Sequence, residues 1–287
     1  MRIFSGDGGG VFGIIPARQL AGYDVYKDFD VMGGCSISSA IVGCYAMGYS
    51  CLETVDMLHN ALPGIFSRPW YRRLSPFGAK WPSTNLEAFC RKRLDAKMGE
   101  LGKPLFIVSM DFAHRKPKVF SSVEPRDKDI PLYEAVLASV SAPTYFPPRG
   151  EYVDGGLFAN NPTVAVAAGA SKALGVGFGS MDVFSIGTGK YHNKPINMKN
   201  AKMWGLLGWS RYIVDVMING GNSTGMSFIA GQLPFRTYVR SDMVDLKPGW
   251  SMDDASLLGE LVDMAESTMP EFTATMDKFL ANSVKGG

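Results

Sequence analysis

Short apolar runs alternate with longer helical stretches along this chain, and that alternation is typical of α/β architecture. Apolar runs bounded by turn residues predict strands at Arg2–Ser5, Phe29–Met32, Leu105–Asp111, Tyr152–Asp154 and Val183–Ile186. No internal repeat, low-complexity tract or linker divides the sequence. With 287 residues, the chain can bury a substantial core without a second domain. We therefore predict a single domain over residues 1–287.

Two helices are predicted from the apolar pattern and from capping residues. Residues Ile37–Met47 are apolar nearly all round, so this helix is expected to be buried. The second helix has Asn161 as its N-cap and Pro162 at its first position, and Gly175 is placed to end it. The stretch Pro63–Pro82 contains four prolines and several aromatic residues. Its composition predicts an irregular excursion rather than a core element.

Composition narrows the class of protein and its surroundings. Apolar residues make up 46% of the chain and charged residues 20%, which is typical of a folded globular protein. The net charge of +2 is too balanced to indicate a nucleic-acid partner. No signal peptide precedes the first strand, and no uninterrupted apolar run is long enough to span a membrane. We therefore expect a soluble, cytoplasmic protein.

The cysteines and histidines give no sign of a metal centre. The chain has four cysteines and three histidines, with no CxxC spacing and no metal-ligand pattern between them. The cysteines are expected to be reduced, buried thiols, and they are Cys35, Cys44, Cys51 and Cys90.

The first candidate site is a glycine-rich loop, Gly6–Gly13, directly after the first strand. Glycines allow a tight turn whose successive N–H groups point into one concavity, and such a concavity suits an anion. The loop also contains a GxGxxG match, so a dinucleotide-binding loop is an alternative, with acidic residues following at Asp24, Asp28 and Asp30. Against that alternative, Asp7 lies inside the loop and Pro16 falls where the phosphate-binding helix is required.

The second candidate site is Ser36, in the sequence Gly33-Gly34-Cys35-Ser36-Ile37-Ser38 between a strand and the buried helix. A sharp strand-to-helix turn exposes a serine hydroxyl beside helix-terminal N–H groups, as a nucleophile elbow requires. The alternative is that Ser36 only caps the helix. Cys35 is expected to turn inward, while Ser38 and Ser39 are expected to cap or line the helix.

The third candidate is Asp154, at the end of a predicted strand and followed by Gly155 and Gly156. The two glycines leave room for the carboxylate to approach a hydroxyl as a general base. Without Ser36, an Asp-Gly turn would be the better interpretation.

Taken together and in this order, these motifs resemble the patatin-like phospholipase family. The resemblance extends from residue 1 to about residue 260. It is carried by Asp7-Gly8-Gly9-Gly10, the elbow at Ser36, Ser141-Ala142-Pro143-Thr144-Tyr145-Phe146-Pro147-Pro148, Asp154-Gly155-Gly156, Asn160-Asn161-Pro162 and Ser185-Ile186-Gly187-Thr188-Gly189.

This resemblance implies a three-layer α/β/α fold with a mainly parallel central sheet. The motifs would lie in about residues 1–190, and a helical extension would follow over about 200–287. It also implies that Ser36 and Asp154 form a catalytic dyad that cleaves ester-linked acyl chains from phospholipids through an acyl-enzyme. The N–H groups of Gly8, Gly9 and Gly10 would form the oxyanion hole. No cofactor and no metal are implied, and some relatives act as bacterial effectors that a cyclic nucleotide switches on.

Two residues depart from the family pattern. Phe12 stands where the family has an arginine in the glycine-rich loop, and Ser38 stands where the elbow has its last glycine. Phe12 removes a fixed positive charge near the expected oxyanion site, and Ser38 adds a side chain where strand and helix cross closely. Altered or weakened catalysis is the expected consequence.

Two other functions fit parts of the pattern. A Ser-Asp-His esterase would use Ser36, Asp154 and His192, which come in the right chain order, although His192 lies in a polar stretch typical of a loop. A binding or regulatory module would use the glycine-rich loop without turnover.

Two segments mix aromatic, apolar and basic residues as proteins do at membrane interfaces, Phe66–Arg73 and Met203–Trp209. They suggest transient peripheral contact with a membrane surface, while ordinary packing is the alternative, and the better one for the second segment.

Overall fold

The computed structural model describes residues 1–67, 78–191, 198–205, 209 and 222–283. Within these residues, seven strands form one mixed sheet and two more form a small parallel pair. The strands are β1 Arg2–Gly6, β2 Val31–Cys35, β3 Leu105–Asp111, β4 Lys116–Ser121, β5 Tyr152–Asp154, β6 Asp182–Ile186, β7 Lys190–Tyr191, β8 Thr237–Ser241 and β9 Asp245–Leu246.

The main sheet has the order β4-β3-β2-β1-β6-β8, with β5 paired to β3. Strands β3, β2, β1, β6 and β8 are parallel neighbours, whereas β4 and β5 run antiparallel to β3. The expected mainly parallel sheet is therefore confirmed. The small second sheet pairs β7 with β9.

Helices cover both faces of the sheet and complete the three layers. One face packs against α1 Ile14–Gln19, α3 Ile37–Ala46, α4 Cys51–Ile65, α5 Thr84–Arg93, α6 Leu132–Val140, α10 Leu258–Ser267 and α11 Met269–Asn282, with the short α2 Val25–Asp28 beside them. The other face packs against α8 Thr163–Leu174, flanked by α7 Gly156–Ala159 and α9 Asn222–Gln232. The large apolar core lies on the first face and also contains Phe4, Phe29 and Phe184.

Strand β2 begins and ends later than the sequence predicts. It covers Val31–Cys35 rather than Phe29–Met32, so it includes two glycines that a pattern search treats as strand breakers. Both glycines are required by close packing. A Cβ on Gly33 would lie 2.2 Å from the Val166 side chain, and one on Gly34 would lie 2.5 Å from the Ser38 carbonyl oxygen. The strand therefore reaches the residue immediately before Ser36.

The predicted helices form with small shifts at their ends. Helix α3 ends at Ala46, one residue before the predicted end, and is buried along nearly its whole length. Helix α8 begins one residue late, because Pro162 takes the N-cap position while the Asn161 side chain accepts the Thr163 N–H over 3.0 Å. Gly175 ends α8 in the left-handed conformation, with φ of 68°, as its position predicts.

Helix α4 reaches into the segment expected to be irregular. It runs through Pro63 to Ile65 and starts with a capping box between Ser50 and Glu53. Residues 68–77 of that segment lie outside the described residues.

The C-terminal part is more than the helical extension expected over about 200–287. It supplies α9, α10 and α11, but it also supplies β8, which extends the main sheet beside β6. The last helix is tied to the first strand, since the Arg2 guanidinium donates to the carbonyls of Leu280 and Ser283 over 2.7 and 3.0 Å. Strand β8 was not predicted, because its five residues are mostly polar and only half-buried and give no clear strand pattern.

All four cysteines are buried and unpaired, as expected. Among the described residues, no helix is both long enough and apolar enough to cross a membrane.

Candidate active site

Ser36 occupies a strained turn between β2 and α3. Its backbone has φ of 50° and ψ of −124°, a conformation that a non-glycine residue adopts only when its surroundings enforce it. Although Ser36 has the N-cap position of α3, its side chain caps no helical N–H. The helix-cap alternative is therefore wrong for the Ser36 hydroxyl, which points elsewhere.

Strand β3 brings Ser36 and Asp154 together through its register. Cys35, the last residue of β2, pairs with Val108 of β3. The next residue of β3, Ser109, pairs with Asp154 of β5. Both β2 and β5 lie on the edge of β3 that β4 leaves open. The residue that follows Cys35 and the last residue of β5 therefore meet at one point of the sheet.

The Ser36 hydroxyl donates a 2.6 Å hydrogen bond to Asp154 Oδ2. The other carboxylate oxygen, Oδ1, accepts the Gly156 N–H over 2.7 Å. This confirms the expectation that residues 118 positions apart in sequence lie within hydrogen-bonding reach. Burial raises the pKa of Asp154 to about 6, while the hydrogen bonds from Ser36 and Gly156 oppose that rise. A carboxylate with such a pKa is a stronger base than an exposed aspartate and stays ionised at neutral pH.

Cys35 turns inward, as expected, and is fully buried. Its Sγ lies 4.0 Å from Asp154 Oδ1. Burial raises the pKa of the Cys35 thiol well above its ordinary value, with the Asp154 carboxylate adding to the effect. The thiol therefore stays protonated and is a poor nucleophile.

The glycine-rich loop lies against Ser36, and one of its three expected donors is already engaged. The Gly8 N–H donates to the Asn160 carbonyl over 3.0 Å, which corrects its assignment as an oxyanion donor. In the part of the chain that the structure describes, the N–H groups of Gly9 and Gly10 have no acceptor. The Gly8 carbonyl accepts the Thr188 hydroxyl over 2.8 Å and the Asn160 amide over 3.3 Å.

Because the Gly8–Gly9 peptide is trans, its N–H points away from the carbonyl that Thr188 and Asn160 hold. Those two side chains thus fix the direction of the Gly9 N–H. Both positions require glycine, since a Cβ on Gly9 would lie 2.2 Å from Thr188 Oγ1 and one on Gly10 2.1 Å from the Met252 carbonyl. The loop also borders a polar cavity, and the Asp7 carboxylate is part of its lining. A carboxylate there disfavours a pyrophosphate, in line with the argument from sequence against a dinucleotide loop. Pro16 is accommodated in the first turn of α1.

Arg240 anchors the start of the loop, and sequence reasoning missed it. Its guanidinium donates to Asp7 Oδ1 and Oδ2 over 2.8 and 2.6 Å, while Ser223 also donates to Oδ2 over 2.9 Å. Burial raises the pKa of Asp7, and the Arg240 charge opposes that rise. A buried acid is stabilised by a cationic partner or by hydrogen bonds, and this is the one signal that could have pointed to Arg240. It went unnoticed because β8, which carries Arg240, was not predicted.

The two departures from the family pattern have structural explanations. Phe12 is fully buried in the main apolar core, so its side chain does not stand in for a charge at the loop. Ser38 fits because a close neighbour is a glycine: a Cβ on Gly6 would lie only 2.8 Å from the Ser38 Cβ. The Ser38 hydroxyl donates to the Asp7 carbonyl over 2.6 Å, which ties α3 to the loop. Ser39 donates to the Ser36 carbonyl over 2.5 Å.

Ser36 opens onto a predominantly apolar cavity. Helices α3, α4 and α5 and the segment after α6 line it, with side chains that include Ala40, Leu58, Leu62, Phe66, Phe89 and Phe146. Gly10 lines the same cavity, which places the loop and the serine at one mouth. Aromatic contacts of Phe66 with Trp81 and Phe146 close one side. Sequence reasoning gave no sign of this cavity, because α4 and α5 were not predicted.

Only one group of residues in the described part of the chain has the composition of a metal site, Asp111, His114 and Glu151. It lies outside the Ser36 cavity, and His114 Nδ1 is already hydrogen-bonded to Asp111 over 2.9 Å. His192 lies outside the described residues.

The fold and the site define an α/β protein with a serine at a strand-to-helix elbow, a hydrogen-bonded buried aspartate and an adjoining apolar cavity. Residues 5–167 match the family model described as patatin-like phospholipase. Because that match covers more than half of the chain, the protein belongs to the patatin-like phospholipase family. The resemblance seen in the sequence is confirmed, and the family is one of lipid ester hydrolases.

Relatives include proteins from plants, bacteria and a nematode. Patatin-like protein 2 of Oryza sativa subsp. indica is 27% identical over 310 residues, which cover 87% of this chain and 72% of the relative. The cGAMP-activated phospholipase of Vibrio cholerae is 28% identical over 197 residues, covering 57% of this chain and 56% of the relative. Among solved structures, VipD from Legionella pneumophila gives a TM-score of 0.43 at 12% identity, covering 94% of this chain and 66% of VipD.

Proposed function

We propose that the protein is a lipid acyl hydrolase that cleaves ester-linked acyl chains from phospholipids, with Ser36 as nucleophile and Asp154 as general base. The observation that carries the proposal is the 2.6 Å hydrogen bond from the Ser36 hydroxyl to Asp154, at the mouth of an apolar cavity. Both carboxylate oxygens of Asp154 are engaged by Ser36 and Gly156 directly. A triad needs a histidine between serine and aspartate, so this direct contact favours a dyad over the alternative with His192.

In the proposed reaction, Ser36 Oγ attacks the ester carbonyl while Asp154 takes the hydroxyl proton. The carbonyl oxygen gains negative charge, which the free N–H groups of Gly9 and Gly10 stabilise. Asp154 then gives its proton to the departing alcohol, and the acyl chain stays on Ser36 as an ester. A water molecule attacks that ester with Asp154 again as base, which releases the fatty acid and restores the serine.

The cavity supports a long acyl chain as the group that is held. Its walls are aliphatic and aromatic, as in sites that hold an apolar group. Burial of each methylene contributes about 0.8 kcal/mol, so a long chain gains far more from this cavity than an acetyl group does.

Hydrolysis of mixed phospholipid vesicles by the pure protein, with products identified by mass spectrometry, tests the proposal. Wild type should release fatty acid, whereas Ser36→Ala and Asp154→Ala should each remove nearly all release, and the double variant should be hardly worse than either. His192→Ala serves as control and should stay near wild type. Equal turnover by wild type and Ser36→Ala would instead indicate a binding or regulatory module.

We also propose that the protein contacts the membrane surface transiently from the cytoplasm. Met203 is 87% exposed and Trp209 41% exposed, and the Trp209 ring packs edge-on against Trp204. Arg68–Arg73 and Leu206–Gly208, within the two segments first considered, lie outside the described residues. Sedimentation with vesicles should fall for Met203→Ser with Trp209→Ser, while Leu52→Ser, at another exposed apolar residue, should change nothing.

A small-molecule activator is a second proposal, and it rests on two relatives named as cGAMP-activated and cUMP-AMP-activated phospholipases. It would make this protein a bacterial membrane-degrading effector. Adding cyclic dinucleotides to the vesicle assay should raise the rate many-fold, and an unchanged rate with active enzyme would refute it.

A further inference from the structure

A buried serine hydroxyl links the backbone of the Ser36 elbow to the sheet. The Ser36 N–H donates to Ser139 Oγ over 2.9 Å, and the Ser139 hydroxyl donates in turn to the Val108 carbonyl over 2.6 Å. Ser139 lies in the last turn of α6 and is fully buried. Val108 is the β3 partner of Cys35, the residue before Ser36. Ser139 therefore connects the elbow to the strand that sets its position.

The same short segment also holds Asp154. The Asp154 N–H donates to the Ser141 carbonyl over 2.9 Å, and the Gly155 N–H donates to the Ser139 carbonyl over 3.3 Å. Residues 139–141 thus contact the backbone of both Ser36 and Asp154. A shift of this segment would change the distance between the Ser36 hydroxyl and the carboxylate.

The elbow needs this support because its backbone conformation is unfavourable in itself. A non-glycine residue at φ of 50° and ψ of −124° relaxes unless neighbouring contacts hold it. A misplacement of about 1 Å can reduce an enzymatic rate by about 100-fold. Ser139 is absent from the described lining of the apolar cavity, so it has no direct role in holding the acyl chain.

We propose that Ser139 is a positioning residue that keeps the Ser36 elbow aligned with Asp154, and that it acts on turnover rather than on lipid binding. This inference rests on the proposed Ser36–Asp154 dyad.

Ser122 provides a matched control beside the first residue of β3, away from Ser36. Its hydroxyl accepts the Leu105 N–H over 2.8 Å and donates to the Lys103 carbonyl over 3.4 Å, and the residue is buried. Ser139→Ala and Ser122→Ala each remove one acceptor of a backbone N–H and one hydrogen bond to a backbone carbonyl, but only Ser139→Ala removes the acceptor of the Ser36 N–H. Similar melting temperatures are therefore expected for the two variants.

Their kinetics should differ. Ser139→Ala is expected to lower kcat by about 10- to 100-fold with little change in KM, and to slow the reaction of Ser36 with a fluorophosphonate to a similar degree. Ser122→Ala should stay within about threefold of wild type in both measurements. Ser139→Cys fills the same space with a weak hydrogen-bond acceptor, and it should also lose kcat even if the alanine variant fails to fold.

Two different outcomes would refute the role of Ser139 and the proposed dyad separately. If Ser36→Ala is inactive while Ser139→Ala and Ser122→Ala lose equal rates, or if Ser139→Cys matches wild type, the role of Ser139 is refuted and the dyad stands. If Ser36→Ala keeps wild-type hydrolysis, the dyad itself is wrong and the inference falls with it.

Discussion

Replacing Asp154 with asparagine should abolish hydrolysis and yet stabilise the folded protein at neutral pH. Asparagine has nearly the shape of aspartate, and it can accept the Gly156 N–H with its oxygen while its amide donates to Ser36 Oγ. The buried negative charge disappears. Asp154→Asn therefore separates the requirement for a base from the requirement for a folded site.

The size of the effect follows from the raised pKa. Moving the pKa of Asp154 from 3.8 to about 6 makes its ionisation cost about 3 kcal/mol more in the folded protein than in the unfolded chain. Below about pH 4 the carboxyl is protonated in both states, so the cost is absent. Between about pH 4 and pH 6 the unfolded chain ionises first, and the folded state loses stability as the pH rises. Above about pH 6 the full cost remains.

Urea denaturation of wild type and Asp154→Asn at a series of pH values measures this directly. The free energy of unfolding of the variant minus that of wild type should rise by roughly 2–3 kcal/mol between pH 4 and pH 8. Contributions of all other titrating groups, Asp7 included, are present in both proteins and cancel. A buried aspartate with a cationic partner, Asp182 beside Arg236, supplies the control, because Asp182→Asn should destabilise the protein at neutral pH. A difference for Asp154→Asn that stays constant from pH 4 to pH 8 would refute the raised pKa.

Three further predictions concern the rate and the loop. Since Asp154 must be ionised to act as base, kcat/KM should fall about tenfold per pH unit below about pH 6 and level off above it; a profile that is flat down to pH 5 contradicts this role. Phe12→Arg should lower the free energy of unfolding by at least about 3–5 kcal/mol, because an unpaired charge replaces a fully buried ring, whereas Phe12→Leu should cost less than about 1.5 kcal/mol; thermal melts that rank the two equally would be the contrary result. Thr188→Val removes the 2.8 Å hydrogen bond to the Gly8 carbonyl and should lower kcat by about three- to tenfold, while Thr188→Ser should not; equal rates for the two would show that the hydroxyl does not orient the loop.

The sequence alone predicted where the glycine-rich loop, Ser36 and Asp154 lie relative to the strands and helices, and the structure agrees with that prediction. The Asp7–Gly10 loop follows the first strand, Ser36 precedes a buried helix, and Asp154 ends a strand. Each of these signals is local, since glycines permit tight turns and an all-apolar helix has to be buried. The position of β3, Leu105–Asp111, was predicted without error because all but one of its residues are buried and the first four form a continuous apolar run.

Only the tertiary structure decided how those elements meet. No local pattern shows that the pairing of β2 with β3 ends at Val108, or that the pairing of β5 with β3 begins at Ser109. That register nevertheless places Ser36 against Asp154. Which distant strands pair, and in which register, depends on packing across the whole sheet. Turn residues near each strand do not determine it. For the same reason the sequence assigned the Gly8 N–H to an oxyanion hole, whereas the fold engages it with the Asn160 carbonyl from elsewhere in the chain. Arg240 and Ser139 escaped notice because their roles come from the partners that the fold brings to them, Asp7 and the Ser36 N–H.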